Sequence, residues 1–206
     1  MLFRSYTNCK NCNQIPTEDL EALNRLIENI KNKIDKANEQ EVCKMSAELN
    51  AIIKLYGSNY AGSEQHFHQL LCTDTWLGET TASIVANWLR SKKFIVDIKR
   101  QSDLQTAELM PFQSALSDIV KWAGETLIGY REEGYKIVFN LTGGFKSVQG
   151  FLQTLGMFYA DEIVYIFEAS KELLRIPRIP VEMKVDEAMS KHLSAIRKLR
   201  DRKSVV

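Results

Sequence analysis

The sequence predicts an α/β fold, Rossmann-like, with a mostly parallel sheet and helices on both faces. Three observations carry that expectation. Short apolar runs of strand length alternate with longer stretches of helical periodicity, as βαβ units require. Two of those runs, ending at Thr73 and Asn140, pass at once into a turn and then a helix. No apolar run approaches a membrane span, so a water-facing α/β core is the economical arrangement.

Taken in order, residues 1–16 are polar and irregular and end at Pro16. Thr17-Glu18-Asp19-Leu20 opens a helix, with Thr17 as N-cap and acidic residues in the first turn. Leu20, Leu23, Ile27, Ile30 and Ile34 recur at helical spacing. A second helix runs from about Glu39 to Tyr56, and residues 57–63 form a small, polar loop. Phe67 to Thr73 reads as a buried strand, Leu77 to Leu89 as a helix, and Phe94 to Ile98 as a second strand. A loop over 101–106 leads to a long helix from about Pro111 to Tyr130, with Pro111 in its first turn. Tyr135 to Asn140 is a third strand, Lys146 to Tyr159 a helix, and Ile163 to Phe167 a fourth strand. Leu173 to Val181, with Pro177 and Pro180, suits an extended edge. Asp186 to Arg202 reads as a charged closing helix, so residues 1–183 form one domain and 184–206 an appended helix.

Composition narrows the function classes. A chain of 206 residues with net charge +1 has no broad basic surface for coating nucleic acid, although a compact phosphate pocket is compatible with it. The N-terminus lacks a signal-peptide apolar region, so the expected compartment is the cytoplasm. Four cysteines in this length do not make a disulfide framework and are expected reduced. Cys9-Lys10-Asn11-Cys12 is a lone CxxC without the second pair that a zinc ribbon needs, and His66 and His68 alone are a poor metal site.

The segment richest in chemistry is Asn140-Leu141-Thr142-Gly143-Gly144-Phe145-Lys146-Ser147. In parallel sheets, ligands sit at the carboxyl ends of strands, and this loop joins such an end to a helix N-terminus. Gly143 and Gly144 let backbone amides approach an anion, and Lys146 adds a full charge, with Thr142 and Ser147 as hydroxyl donors. The spacing is neither a Walker loop nor G-x-G-x-x-G. A tight strand-to-helix turn with a solvated lysine is the bland alternative. The second strand-end loop, Cys72 to Thr80, offers Asp74, Thr75, Gly78 and Glu79. Asp74 and Thr75 either cap the following helix or hydrogen-bond ribose or base groups.

Four segments together resemble the CRISPR-associated Rossmann fold (CARF) family, which senses cyclic oligoadenylates. They are Ser46 to Asn50, Leu70 to Thr75 followed by Gly78, Asn140 to Lys146, and Ile176 to Val181. Their order looks like that of the branch holding stand-alone ring nucleases and the sensor halves of CRISPR ancillary ribonucleases. The resemblance covers roughly residues 15–183. It implies a role in type III CRISPR antiviral defence, with one cyclic oligoadenylate, tetra-adenylate foremost, bound across the two-fold axis of a homodimer. It further implies phosphate contacts from Lys146 and the glycine-loop amides, and ribose or adenine contacts from Asp74 and Thr75. If the protein cleaves its ligand, the implied catalytic residue is Lys146, and the reaction needs neither metal nor cofactor. No membrane and no long nucleic acid is an expected partner.

Two alternatives stand beside the ring nuclease: a sensor that binds without cutting, and a generic nucleotide-binding α/β domain. The Arg-x4–6-His motif of a ribonuclease effector is not found around His192. The family opens with a central strand and a Gly-Thr-Ser-type loop, whereas Met1 to Asn8 resembles the residues just after such a loop. The expectation is therefore a sheet whose first central strand is missing from the chain.

Overall fold

A computed structural model describes residues 5–104, 109–144, 146–167 and 172–179. The chain is a mixed α/β fold, as the sequence predicts. Its helices are α1 (Thr17–Lys36), α2 (Glu39–Met45), α3 (Ala47–Tyr56), α4 (Trp76–Ser91), α5 (Leu109–Glu132) and α6 (Lys146–Tyr159). Its strands are β1 (Phe67–Thr73), β2 (Ile95–Gln101), β3 (Val138–Asn140), β4 (Glu162–Tyr165) and β5 (Leu174–Pro177). Residues 184–206, expected as a closing helix, lie outside the described residues, as do Pro180 and Val181. Among the described residues no helix is long and apolar enough to cross a membrane.

β1 pairs with β2 in parallel, from Phe67 opposite Ile95 to Thr73 opposite Gln101. β3 pairs with β4 in parallel, and β4 pairs with β5 antiparallel, so the Pro177 segment is the edge strand expected of it. Among the described residues no ladder joins β1 to β3, and the strands form one group of two and one of three.

Strand alternation puts both faces of β1 under cover. Leu70 packs with Ile27, Val42, Leu49, Ile52, Trp88 and Leu89, a cluster drawn from α1 to α4. Leu71 points the other way, into a cluster of Ala115, Ile119, Ala123 and Leu127 from α5 with Val148 and Leu155 from α6. The α5 residues recur every four positions, and two alanines in that stripe allow a close approach. Leu23, Leu49, Leu89 and Ile119 are fully buried, each worth about 1.5–3 kcal/mol of burial.

The structure differs from expectation in four instructive places. Thr17 is the first helical residue, and Pro16 takes the cap position with no side-chain hydrogen bond. In α1, Leu23, Ile27 and Ile34 are buried while Ile30 is exposed, so the apolar stripe is narrower than its pattern. The single helix expected over 39–56 is two, because Ser46 closes α2 with extended backbone and caps α3 by accepting from the Leu49 N–H at 3.2 Å. Strand β3 begins only at Val138, since the Ile137 amide goes to the Asp161 carboxylate at 2.8 Å and not to a ladder.

Helix α2 buries little besides Val42 and depends on its ends. Asn38 accepts from the Glu41 N–H at 3.1 Å, and Glu41 accepts from the Asn38 N–H at 2.9 Å. Asn38→Ala removes this reciprocal cap and is expected to lower stability by about 1 kcal/mol. A shift in urea midpoint at constant slope would register it.

Candidate functional site

The glycine loop follows β3 and opens α6. Gly143 and Gly144 have φ of 131° and 84°, backbone that glycine adopts without a Cβ penalty. The loop is fixed by side chains near and far. The Asn140 side-chain Oδ1 accepts from the Thr142 N–H at 3.0 Å, while its side-chain Nδ2 donates to the Glu48 backbone carbonyl on α3 at 3.1 Å. The Thr142 hydroxyl accepts from the Ile166 N–H at 3.0 Å and is buried. Gln149, one turn into α6, donates to the carbonyls of Gly143 at 2.7 Å and Leu141 at 3.1 Å.

These bonds sort the residues that the sequence singles out. Asn140 and Thr142 are committed to holding the loop's shape. The Gly143 N–H donates to the Leu141 carbonyl at 3.1 Å, turned into the loop. Among the described residues no hydrogen bond engages the Gly144 N–H. Phe145 lies outside the described residues, and of Lys146 and Ser147 only the backbone, as the first turn of α6, is described. The loop therefore presents Gly144 and the α6 N-terminus, with Lys146 as its first residue.

Glu48 completes this side. Its carboxylate lies against Gly143, with Oε1 2.3 Å from the point where a Cβ on Gly143 would stand. Ser46 donates to Glu48 Oε2 at 2.9 Å. Sequence reading took Ser46 to Asn50 only as part of a resemblance and gave Glu48 and Gln149 no role. A serine cap two residues before a glutamate was the available sign for the first. For Gln149, nothing local distinguishes it from any exposed helix residue.

The second loop, after β1, is more deeply buried. Thr75 caps α4 by accepting from the Gly78 N–H at 3.1 Å and shares a 2.8 Å hydroxyl contact with Thr73. Gly78 is fitted closely to those hydroxyls, since a Cβ there would lie 2.1 Å from Thr73 Oγ1. Asp74 is buried and pairs with Lys10 at 2.9 Å, and Lys10 also reaches Asp103 at 2.9 Å. Burial alone would raise the Asp74 pKa, but the Lys10 ammonium and nearby backbone amides outweigh it and hold the carboxyl below its ordinary value. Arg100 donates to the Asp74 carbonyl at 2.9 Å and pairs with Glu79 at 3.3 Å. The Trp76 N–H donates to the Cys9 carbonyl at 2.8 Å. The irregular N-terminal segment thus lies over this loop, and Asp74, Thr75 and Gly78 all have partners inside the protein.

Both loops sit after the carboxyl ends of parallel-paired strands, β3 and β1. No hydrogen bond or ion pair joins one loop to the other among the described residues. No group of three or more His, Cys, Asp or Glu that could hold a metal ion occurs among them either. His66 and His68 belong to an aromatic cluster with Tyr56 and Phe94.

Residues 43–179 match the family model described as CRISPR-associated protein (Cas_APE2256). That span is well over half of the chain and holds the Ser46–Glu48 segment, both loops and every strand. No curated protein matches the chain.

Proposed function

The chain belongs to the Cas_APE2256 family of CRISPR-associated proteins, and from that premise we propose that it binds a cyclic oligoadenylate, cyclic tetra-adenylate foremost, in CRISPR antiviral defence. The observation that carries this reading is the Gly143–Gly144 loop. Its shape is fixed from three directions, no hydrogen bond engages the Gly144 amide among the described residues, and it opens a 14-residue helix whose first residue is a lysine. Such a loop suits an anion with little reorganisation, because its amides and helix end are already in place. A cyclic ligand of repeating units fits a homodimer in which each protomer offers the same loop across a two-fold axis.

The reaction proposed for this site is ring opening. A ribose 2′-oxygen bonds to the adjacent phosphorus, the P–O5′ bond breaks, and the 5′-oxygen takes up the proton that the 2′-hydroxyl releases. The products are linear di-adenylates ending in 2′,3′-cyclic phosphate. Lys146 and the Gly144 amide would stabilise charge on the phosphate oxygens, and no step requires a metal. The second reading, a sensor that binds without cutting, is favoured by the commitment of Asp74, Thr75 and Asn140 to internal bonds, which leaves few side chains to align the ring.

Incubation with labelled cyclic tetra-adenylate, followed by chromatography, separates the two. Linear di-adenylate identifies the nuclease, and intact ring with a raised melting temperature identifies the sensor. Equal stabilisation by AMP or ATP, with no preference for the ring, would overturn both. Lys146→Ala removes a charge-assisted contact and is expected to weaken ring binding by about 10- to 100-fold and to abolish any cleavage. Unchanged affinity would remove Lys146 from the site.

A further inference from the structure

Glu48 occupies an unusual position for an exposed first-turn glutamate. Such a side chain ordinarily extends into solvent near its own helix N-terminus. Here Oε1, Cδ and Cγ lie 2.3, 2.8 and 3.4 Å from the site of a Gly143 Cβ, so the side chain rests on the face of the loop that the glycine leaves bare. Ser46 secures Oε2, and Asn140 secures the Glu48 carbonyl, so both ends of the residue are tied to this wall. Among the described side chains, which do not include that of Lys146, no cation pairs with the carboxylate. The N-termini of α3 and α6 both adjoin the loop, a setting that favours negative charge, and Glu48 supplies one.

We infer that Glu48 is a specificity-determining residue that selects phosphodiesters over terminal phosphates at the glycine loop. This inference rests on the proposed anion-binding role of that loop. A carboxylate held beside the cradle by Ser46 repels every incoming phosphate, but in proportion to its charge. An internal phosphodiester carries one negative charge, whereas a terminal phosphomonoester carries close to two at neutral pH. The diester of a closed ring is therefore admitted at about half the electrostatic penalty that AMP, ATP or inorganic phosphate meets. The device needs no contact with the base and works however the ring is oriented. It also gives Gly143 a second reason to be glycine, since any Cβ there would displace the carboxylate.

The decisive comparison is between wild type, Glu48→Gln and Glu48→Asp, each titrated with cyclic tetra-adenylate, AMP and inorganic phosphate at low salt. Glutamine keeps the shape and still accepts from Ser46, so only the charge changes. In Glu48→Gln, affinity for AMP and phosphate is expected to rise about tenfold more than affinity for the ring, and this gap is expected to shrink as salt is added. Glu48→Asp is expected to recover much of the wild-type preference, which a purely structural role for the longer side chain would not do. An unchanged ratio of AMP to ring affinity in Glu48→Gln, with the ring still bound, overturns the inference and leaves the proposed function standing. Failure of wild type and Glu48→Gln alike to bind the ring overturns the proposed function and the inference with it.

Discussion

Gly143→Ala is expected to cost about 1–3 kcal/mol of stability and to abolish ligand binding at the glycine loop. At φ of 131° an L-residue is strained whatever space surrounds it. The new methyl would also meet Glu48 Oε1, although that collision is the lesser problem, since an exposed carboxylate can rotate away. Glu48→Ala added to Gly143→Ala should therefore remove the contact but not restore the loop. Gly150 supplies the control. It lies inside α6 with nothing within 4 Å of its would-be Cβ, so Gly150→Ala is expected to stabilise the protein by about 0.5–1 kcal/mol. Urea unfolding and a ligand-induced melting shift, measured on both variants, give the comparison. A Gly143→Ala protein with wild-type midpoint and ligand response would show that the loop tolerates a second conformation and that its shape does not define the site.

The same loop shows what sequence can and cannot reveal. Its strand, its glycines and the helix start at Lys146 are encoded within thirteen residues, and local pattern places the strand's end at Asn140 and the helix start correctly, although the strand begins only at Val138. Phe67 to Thr73 was equally legible, because an apolar run bounded by polar turns admits few other readings. The break at Ser46 was hidden because apolar residues continue at helical spacing on both sides, and only the serine side chain diverts the backbone. What fixes the loop was not legible at all. Asn140 reaches Glu48 across 92 positions, and Thr142 reaches Ile166 across 24. The Asp74 loop gives the same lesson, since its carboxylate is neutralised by Lys10 from a segment that reads as irregular and polar. Residues chosen for their capacity to contact a ligand were in part spent on the scaffold, and tertiary context decides which.

Acidification from pH 6.5 to 4 is expected to remove up to about 3 kcal/mol of stability through His68 alone. Burial, with a smaller contribution from the neighbouring His66, pushes the His68 pKa from 6.5 down to about 4. Its ring lies 4.6 Å from that of Phe94, and its Nε2 is 3.3 Å from the Tyr56 hydroxyl, with no carboxylate among these contacts to stabilise an imidazolium. Above pH 6.5 the imidazole is neutral in both folded and unfolded chains, and the contribution is fully present. Between pH 6.5 and 4 the unfolded chain takes up a proton that the folded one refuses, so stability falls as pH falls. Asp74 and Glu162 act in a lower window. Lys10 and backbone amides hold Asp74 below its ordinary value against burial, and Lys136 and Arg175 do the same for Glu162. Their stability is present above the ordinary carboxylate range and is lost as pH drops through their depressed values. His68→Gln separates the two processes. It should flatten the dependence of the urea midpoint on pH between 6.5 and 4 while leaving the steeper loss at lower pH intact. An unchanged slope in that variant would place the transition on other groups and show that the His68 ring is solvated enough to carry a proton in the folded protein.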